Sequence, residues 1–311
     1  MIERIKYKGW PNCYRLTNGL IELVVTTDVG PRVIRFGQVG GPNQFKEYAE
    51  TLGQTGGSEW RIYGGHRLWH APEVWPRTYC PDNGPVQIER LDDAVRLIQN
   101  TEPTTGIQKE IDVQLWPSTA VARVIHRLRN NNAWAVELAP WALSVMEPGG
   151  KAIVPLPPRQ THAENLNPVS TITLWAYTDI SDPRFTWGHN YVLIRQHPGA
   201  EPPQKIGATV PDGWVAYARD GQLFVKQFAY DQAAHYPDLG CCAEVWVDSE
   251  MLELETLGPL RILQPGDAAE HVEQWFLIDG VSVPATEEAV IAEVLPRVRD
   301  TLRLAHSPAG L

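Results

Sequence analysis

The feature that most constrains this chain is a long series of short alternating segments separated by turn residues. From Val86 onward these are Val86–Glu89, Ala94–Gln99, Gly106–Leu115 and Ala120–Leu128, with breaks at Asp92-Asp93, Pro103 and Pro117-Ser118. A recurrence of about ten residues per segment, with turn chemistry between, indicates an antiparallel meander. The series continues through Val136–Met146, Ile172–Ala176, Gly188–Arg195, Trp214–Ala218, Leu223–Tyr230, Ala243–Val247, Met251–Thr256 and Val272–Leu277. At the start, Asn18-Gly19 is a hairpin signal. Ile21, Leu23 and Val25 alternate beyond it, and a turn over Asp28–Pro31 leads to a strand at Val33–Phe36. So many strands exceed what one open twisted sheet holds, so packed sheets are expected.

One helix is expected, at the end. Thr286 can cap it, Glu287 and Glu288 suit its first turn, Val290, Val294 and Val298 form a stripe, and Pro296 should bend or break it. Residues 40–87 are rich in Gly, Pro and aromatics and read as a long loop region containing short strands, the kind of loop that carries function. With no internal repeat and no linker of the Gly/Ser or charged type, residues 1–311 read as one domain.

The net charge of −10 disfavours nucleic acid and anionic membrane surfaces, which want clustered Lys and Arg. No apolar run of membrane-spanning length is present, and the first residues lack the apolar stretch of a signal peptide. Cys13, Cys80, Cys241 and Cys242 have neither metal nor disulfide spacing and read as small buried thiols in a reducing cytoplasm. No phosphate-binding loop, dinucleotide fingerprint, nucleophile elbow or zinc motif occurs, so neither cofactor nor metal is expected.

Two stretches carry chemistry. In Met251–Glu270, Leu252 and Leu254 take one face of a strand while Glu253 and Glu255 take the other, roughly 7 Å apart. Glu255 is the best single candidate for chemistry, and Glu253 a candidate for binding hydroxyls. The second stretch, GGHRLWHAPE, packs His66, Arg67, Trp69, His70 and Glu73 into eight residues, with Trp75 just beyond. His66 and His70 are candidate acids, since imidazole titrates near neutrality. Their spacing would also suit metal on a helix, but Gly64-Gly65 and Pro72 disfavour a helix there. Arg67 can fork to hydroxyls or a carboxylate. Trp69 and Trp75 can stack on a sugar ring, and His189 and Lys205, both read as loop residues, are further candidate contacts. His126 reads as core-adjacent. The 12 Trp fit either a large β core or sugar stacking.

Several of these stretches together resemble the aldose 1-epimerase, or galactose mutarotase-like, superfamily. They are NGLIELVVTTDVGPRVIRF, the run Gly106–Leu138, and Leu254-Glu255-Thr256 followed by Pro265-Gly266-Asp267. GGHRLWHAPE, PDNGPV, ELAPWALSVM and ELETLGPL are similar to an uncharacterised subgroup of it. The resemblance implies an all-β, antiparallel β-supersandwich with a concave sugar-binding face. It also implies a reaction, in which a carboxylate at Glu255 takes the anomeric proton, a histidine protonates the ring oxygen, and the opened sugar recloses. The sequence departs from that pattern. Pro140-Trp141 stands where the family has its Asn-His, and Tyr63 precedes Gly64-Gly65 where the family has its second histidine.

The expectation is therefore a cytoplasmic isomerase acting on a small carbohydrate, with Glu255 as base and His66 or His70 as acid. Two alternatives stand beside it. One is a glycoside hydrolase or lyase using Glu253 and Glu255, whose spacing falls near the roughly 6.5–9.5 Å of inverting enzymes. The other is a sugar-binding protein without catalysis, which predicts no histidine within reach of Glu255.

Overall fold

The structure is a computed structural model and describes residues 1–305. Two antiparallel sheets carry nearly the whole chain. The first has eleven strands, in the order Ile2–Tyr7, Trp10–Thr17, Ile21–Thr26, Arg32–Gln38, His66–Ala71, Val136–Met146, Leu252–Leu257, Ala243–Val247, Gln204–Ala208 and Ile172–Leu174, with Arg261–Leu263 paired to the start of Val136–Met146. The second has ten, in the order Phe185–Trp187, Tyr191–Arg195, Lys151–Pro155, Trp214–Arg219, Gln222–Phe228, Ala268–Asp279, Val121–Asn130, Ile107–Leu115, Ala94–Ile98 and Gln87–Arg90. This is the all-β, packed-sheet architecture expected.

The inner faces meet in one apolar layer. Leu23, Val33, Leu68 and Leu254 of the first sheet pack with Val113, Val124, Phe224 and Trp275 of the second. The far face of the second sheet is covered by the C-terminal helical segment through Val290, Val294 and Val298. Thr286 caps that segment, its hydroxyl accepting from the Ala289 amide. Pro296 does not stop it. A π-type turn over Val290–Val294 precedes the proline, and the helix runs on over Leu295–Ala305. No helix among the described residues is long and apolar enough to cross a membrane.

The main departure from expectation lies in residues 40–87. His66–Ala71 is no loop but a central strand, paired to Arg32–Gln38 on one side and to Val136–Met146 on the other. All six residues are buried, so polar and apolar side chains do not sort into a wet and a dry face. Gly65 brings the chain into register. Its φ is +70°, and a Cβ there would lie 2.5 Å from the Val33 carbonyl oxygen. Lys205 likewise sits in a strand, Gln204–Ala208, rather than a loop.

A polar network lies buried between the sheets. The Lys226 ammonium lies 2.7 Å from Glu273 Oε1 and donates to the carbonyls of Ala142 and Leu254 at 3.3 and 3.1 Å. Trp275 Nε1 donates to Glu273 Oε2 at 2.7 Å. His126 Nδ1 lies 3.0 Å from the His271 carbonyl, which can only accept, so that nitrogen carries the proton. The bare His126 Nε2 then accepts from His66 Nε2 at 2.6 Å, and His66 Nδ1 accepts from the Ser144 hydroxyl at 2.8 Å. His271 Nε2 donates to Thr256 Oγ1 at 2.7 Å, and Thr256 passes its own hydrogen to Glu273.

Burial lowers the pKa of all three imidazoles, that of His271 to about 3. Glu273 is also held below its ordinary value: burial opposes this, but Lys226 and then His66 outweigh it. The unfolded chain therefore binds more protons than the folded chain below the ordinary imidazole value of 6.5. Stability should be complete above that pH and fall as pH drops from 6.5 toward 3, which urea midpoints measured across this range would show. Lys226→Met leaves Glu273 as an unpaired buried charge and should cost about 3–5 kcal/mol in chemical denaturation at neutral pH.

Candidate functional site

The outer face of the first sheet carries the site, and strand alternation decides which side chains reach it. On the strand His66–Ala71, Arg67, Trp69 and Ala71 point outward while His66, Leu68 and His70 point to the core. On Leu252–Leu257, Glu253, Glu255 and Leu257 share the outward face. Register brings these rows together. Leu143 lies opposite both Arg67 and Glu255, Glu255 lies opposite Glu244, and Trp141 lies opposite Trp69 and Leu257.

A hollow of about 420 Å³ opens over these rows. Its walls include five indoles, Trp60, Trp69, Trp141, Trp175 and Trp246, together with Tyr79 and Tyr177. Its polar groups are Arg67, Glu73, Lys205 and Glu253. The rings brace each other edge to face, Trp69 against Trp141 and against Trp60 with centroids 5.5 Å apart in both cases. The cations lie over the rings. The Arg67 guanidinium carbon is 4.5 Å from the Trp69 centroid, and Lys205 Nζ is 4.5 Å from Trp141 and 4.7 Å from Trp175.

Each cation also has a carboxylate. Arg67 Nη1 donates to Glu253 Oε1 at 2.7 Å. Lys205 Nζ lies 3.1 Å from Glu255 Oε2 and 2.8 Å from Glu244 Oε2. Trp141 Nε1 donates to Glu255 Oε2 at 2.8 Å, so this indole orients the carboxylate. Burial raises the Glu255 pKa, and Lys205 only partly offsets this. Burial also raises Glu244, well above the ordinary carboxylate range. Burial alone would lower Lys205, but Glu244 and then Glu255 hold it above its ordinary value.

Of the residues singled out in the sequence, Arg67, Trp69, Glu73, Lys205 and Glu253 line this hollow. Glu255 lies directly beneath, fully buried behind Lys205 and Trp141. Glu73 accepts from the Tyr79 hydroxyl. Trp75 is 74% exposed and packs on Tyr79 from outside. His189 belongs to the other sheet's periphery, where Arg159 donates to its ring at 2.7 Å and it borders a separate hollow with Trp187 and Glu287.

The expected meeting of His66 or His70 with Glu255 does not occur, because both histidines leave the opposite face of their strand. His66 joins the inter-sheet network. His70 Nε2 lies 3.5 Å from Glu102, which also pairs with Lys109 at 2.6 Å. No histidine lines the hollow among the described residues. Sequence reading did not reach Trp60, Trp175, Trp246, Tyr79, Tyr177 or Glu244. Glu244 and Trp246 left a shared signal, at the second and fourth positions of the segment Ala243–Val247 and so on one strand face.

His66, His126 and Glu273 offer three ligand atoms within 4.8 Å of one another. They do not fit a divalent ion. The two Nε2 atoms are 2.6 Å apart and share a hydrogen, whereas tetrahedral ligands at zinc distances stand about 3.3 Å apart. The Lys226 ammonium already occupies the cation's place against Glu273.

No protein-family model matches the sequence, and no curated protein matches it. Solved structures do match. A galactose mutarotase related enzyme from Lactobacillus acidophilus superposes with a TM-score of 0.56 at 8% identity, over 86% of this chain and 98% of that one. A galactose mutarotase-like protein from Lactobacillus casei gives 0.54 at 8% identity, over 86% and 100%. A TPR-domain containing protein from Parabacteroides distasonis gives 0.56 at 14% identity, and there this chain covers 88% of itself but spans about half, 49%, of the other. The protein therefore has the galactose mutarotase-like fold.

Glu253→Gln should leave Arg67 without its carboxylate, buried between Trp60 and Trp69. A loss of about 3–5 kcal/mol in denaturation is expected, whereas replacing both residues by apolar ones of similar volume should restore most of it.

Proposed function

We propose that the protein binds a monosaccharide-sized carbohydrate in the aromatic hollow and interconverts its anomers or epimers by acid–base chemistry. The observation that carries this is the convergence of stacked indoles with two cation–carboxylate pairs in one concavity. Indole faces match the apolar C–H patches of a pyranose, and the paired charges supply donors and acceptors for its hydroxyls. Proteins of the same fold that carry galactose mutarotase in their descriptions lend the reaction class. In this reading Glu255 is the base, as in the Leu-Glu-Thr pattern that the sequence resembles. Reaching the sugar requires the Lys205 ammonium to move aside or to carry the proton.

A second reading, sugar binding without catalysis, is favoured by one specific observation. An indole, Trp141, stands beside Glu255 where the family has its acid, and no imidazole lines the hollow among the described residues. The hydrolase alternative has less support, since Arg67 engages Glu253 while Lys205 and Trp141 engage Glu255, leaving no free carboxylate pair.

Tryptophan fluorescence should report binding across a panel of aldoses, and Trp69→Ala should weaken it about three- to tenfold. For catalysis, anomer exchange is followed by NMR. Glu255→Gln is expected to slow it by roughly 10²–10⁴ while binding persists. Exchange unchanged by the substitution, with binding retained, selects the non-catalytic reading.

A further inference from the structure

We propose that Glu244 and Glu255 share a single proton against the one Lys205 ammonium, so that the cleft floor holds a carboxyl pair as its proton store. The inference rests on the cleft being the functional site. Glu244 is its positioning residue, acting through Glu255.

The argument starts from register. Glu244 and Glu255 face each other directly across adjacent strands, on the same side of the sheet. Both are buried, at 1% and 0% exposure, and their carboxyls come within hydrogen-bond reach of each other. Two carboxylates in that position repel strongly, and buried charge must be matched. The supply of matching charge can be counted. Arg67 is engaged by Glu253, and Lys226, behind the sheet, by Glu273. Lys205 is then the one cation left for two carboxyls, and it touches both. One carboxyl must therefore be neutral.

Hydrogen bonding agrees. Glu244 Oε1 and Glu255 Oε1 are buried with no donor among the described residues. A proton on one of the two carboxyls supplies that donor. The remaining groups around the pair do not remove the need for it. Glu73, Glu253 and Asp238 are acidic and add to the repulsion. Tyr177 and Cys241 are neutral at physiological pH, with burial raising both, each to about 12. The direction of the carboxyl shifts, both upward, is consistent with the same count.

The test is infrared spectroscopy of the whole protein with carboxyl-labelled glutamate, in which a protonated carboxyl absorbs apart from carboxylates. The wild type should show one protonated glutamate at neutral pH. Glu244→Gln and Glu255→Gln should each abolish that band, because the surviving carboxylate then has Lys205 to itself. Lys205→Met should double it. If Lys205→Met fails to fold, the two glutamine variants still decide. Absence of the band in wild type, or its persistence in both glutamine variants, overturns the proposal.

A second readout separates a proton store from mere packing. The alkaline limb of the anomer-exchange profile should move to lower pH in Glu244→Gln by at least a factor of about ten in proton affinity. A limb that does not move overturns the positioning role. A protein that exchanges no sugar overturns the proposed reaction, while the infrared band still decides the proton count.

Discussion

A β-strand sends successive side chains to opposite faces, and on His66–Ala71 that rule separates two kinds of chemistry by the thickness of one sheet. Arg67 and Trp69 enter the hollow; His66 and His70 enter the core. The same rule on Leu252–Leu257 sends Glu253 and Glu255 outward and Thr256 inward to Glu273. Neither strand has a face that is simply wet or dry. Each carries polar groups on both sides, and the fold tolerates this because the buried charges among them meet partners.

That pairing is the second constraint. Arg67 with Glu253, Lys205 with the Glu244–Glu255 pair, Lys226 with Glu273 and Lys109 with Glu102 are all buried or nearly so. Such pairs add little net stability over apolar replacements, but losing one partner is costly. Their value here is positional. The cations hold carboxylates at fixed points beneath indole rings, and the rings lock one another edge to face.

Much of the architecture was legible in the sequence because alternating or Val/Ile/Leu-rich runs bounded by turn residues advertise strands even where both faces are buried. Ile21–Thr26, Val136–Met146 and Ala243–Val247 stand where the pattern placed them. The acidic strand was legible for the same reason, with Glu253 and Glu255 spaced by two. His66–Ala71 was not, because its residues HRLWHA include no β-branched side chain and Gly64-Gly65 mimics a loop. Reading it as loop let His66 and Arg67 share one site, which a strand forbids. Lys205 was noticed but placed in a loop, since Pro202-Pro203 and Gly207 hide the short strand around it. Trp175 and Trp246 converge only through pairing between segments far apart in the chain, and no local pattern encodes that.

Lys226 donates to the carbonyls of Ala142 and Leu254, one on each of the two neighbouring strands that also present Trp141 and Glu255 outward. This ammonium rivets the cleft floor from behind, using backbone atoms that any side chain would leave in place. The outward charged positions can consequently be exchanged in matched pairs while this fastening holds the two strands together. A scaffold anchored in this way is suited to diversification: new ligand preferences can be written on its outer surface while the fastening underneath stays the same.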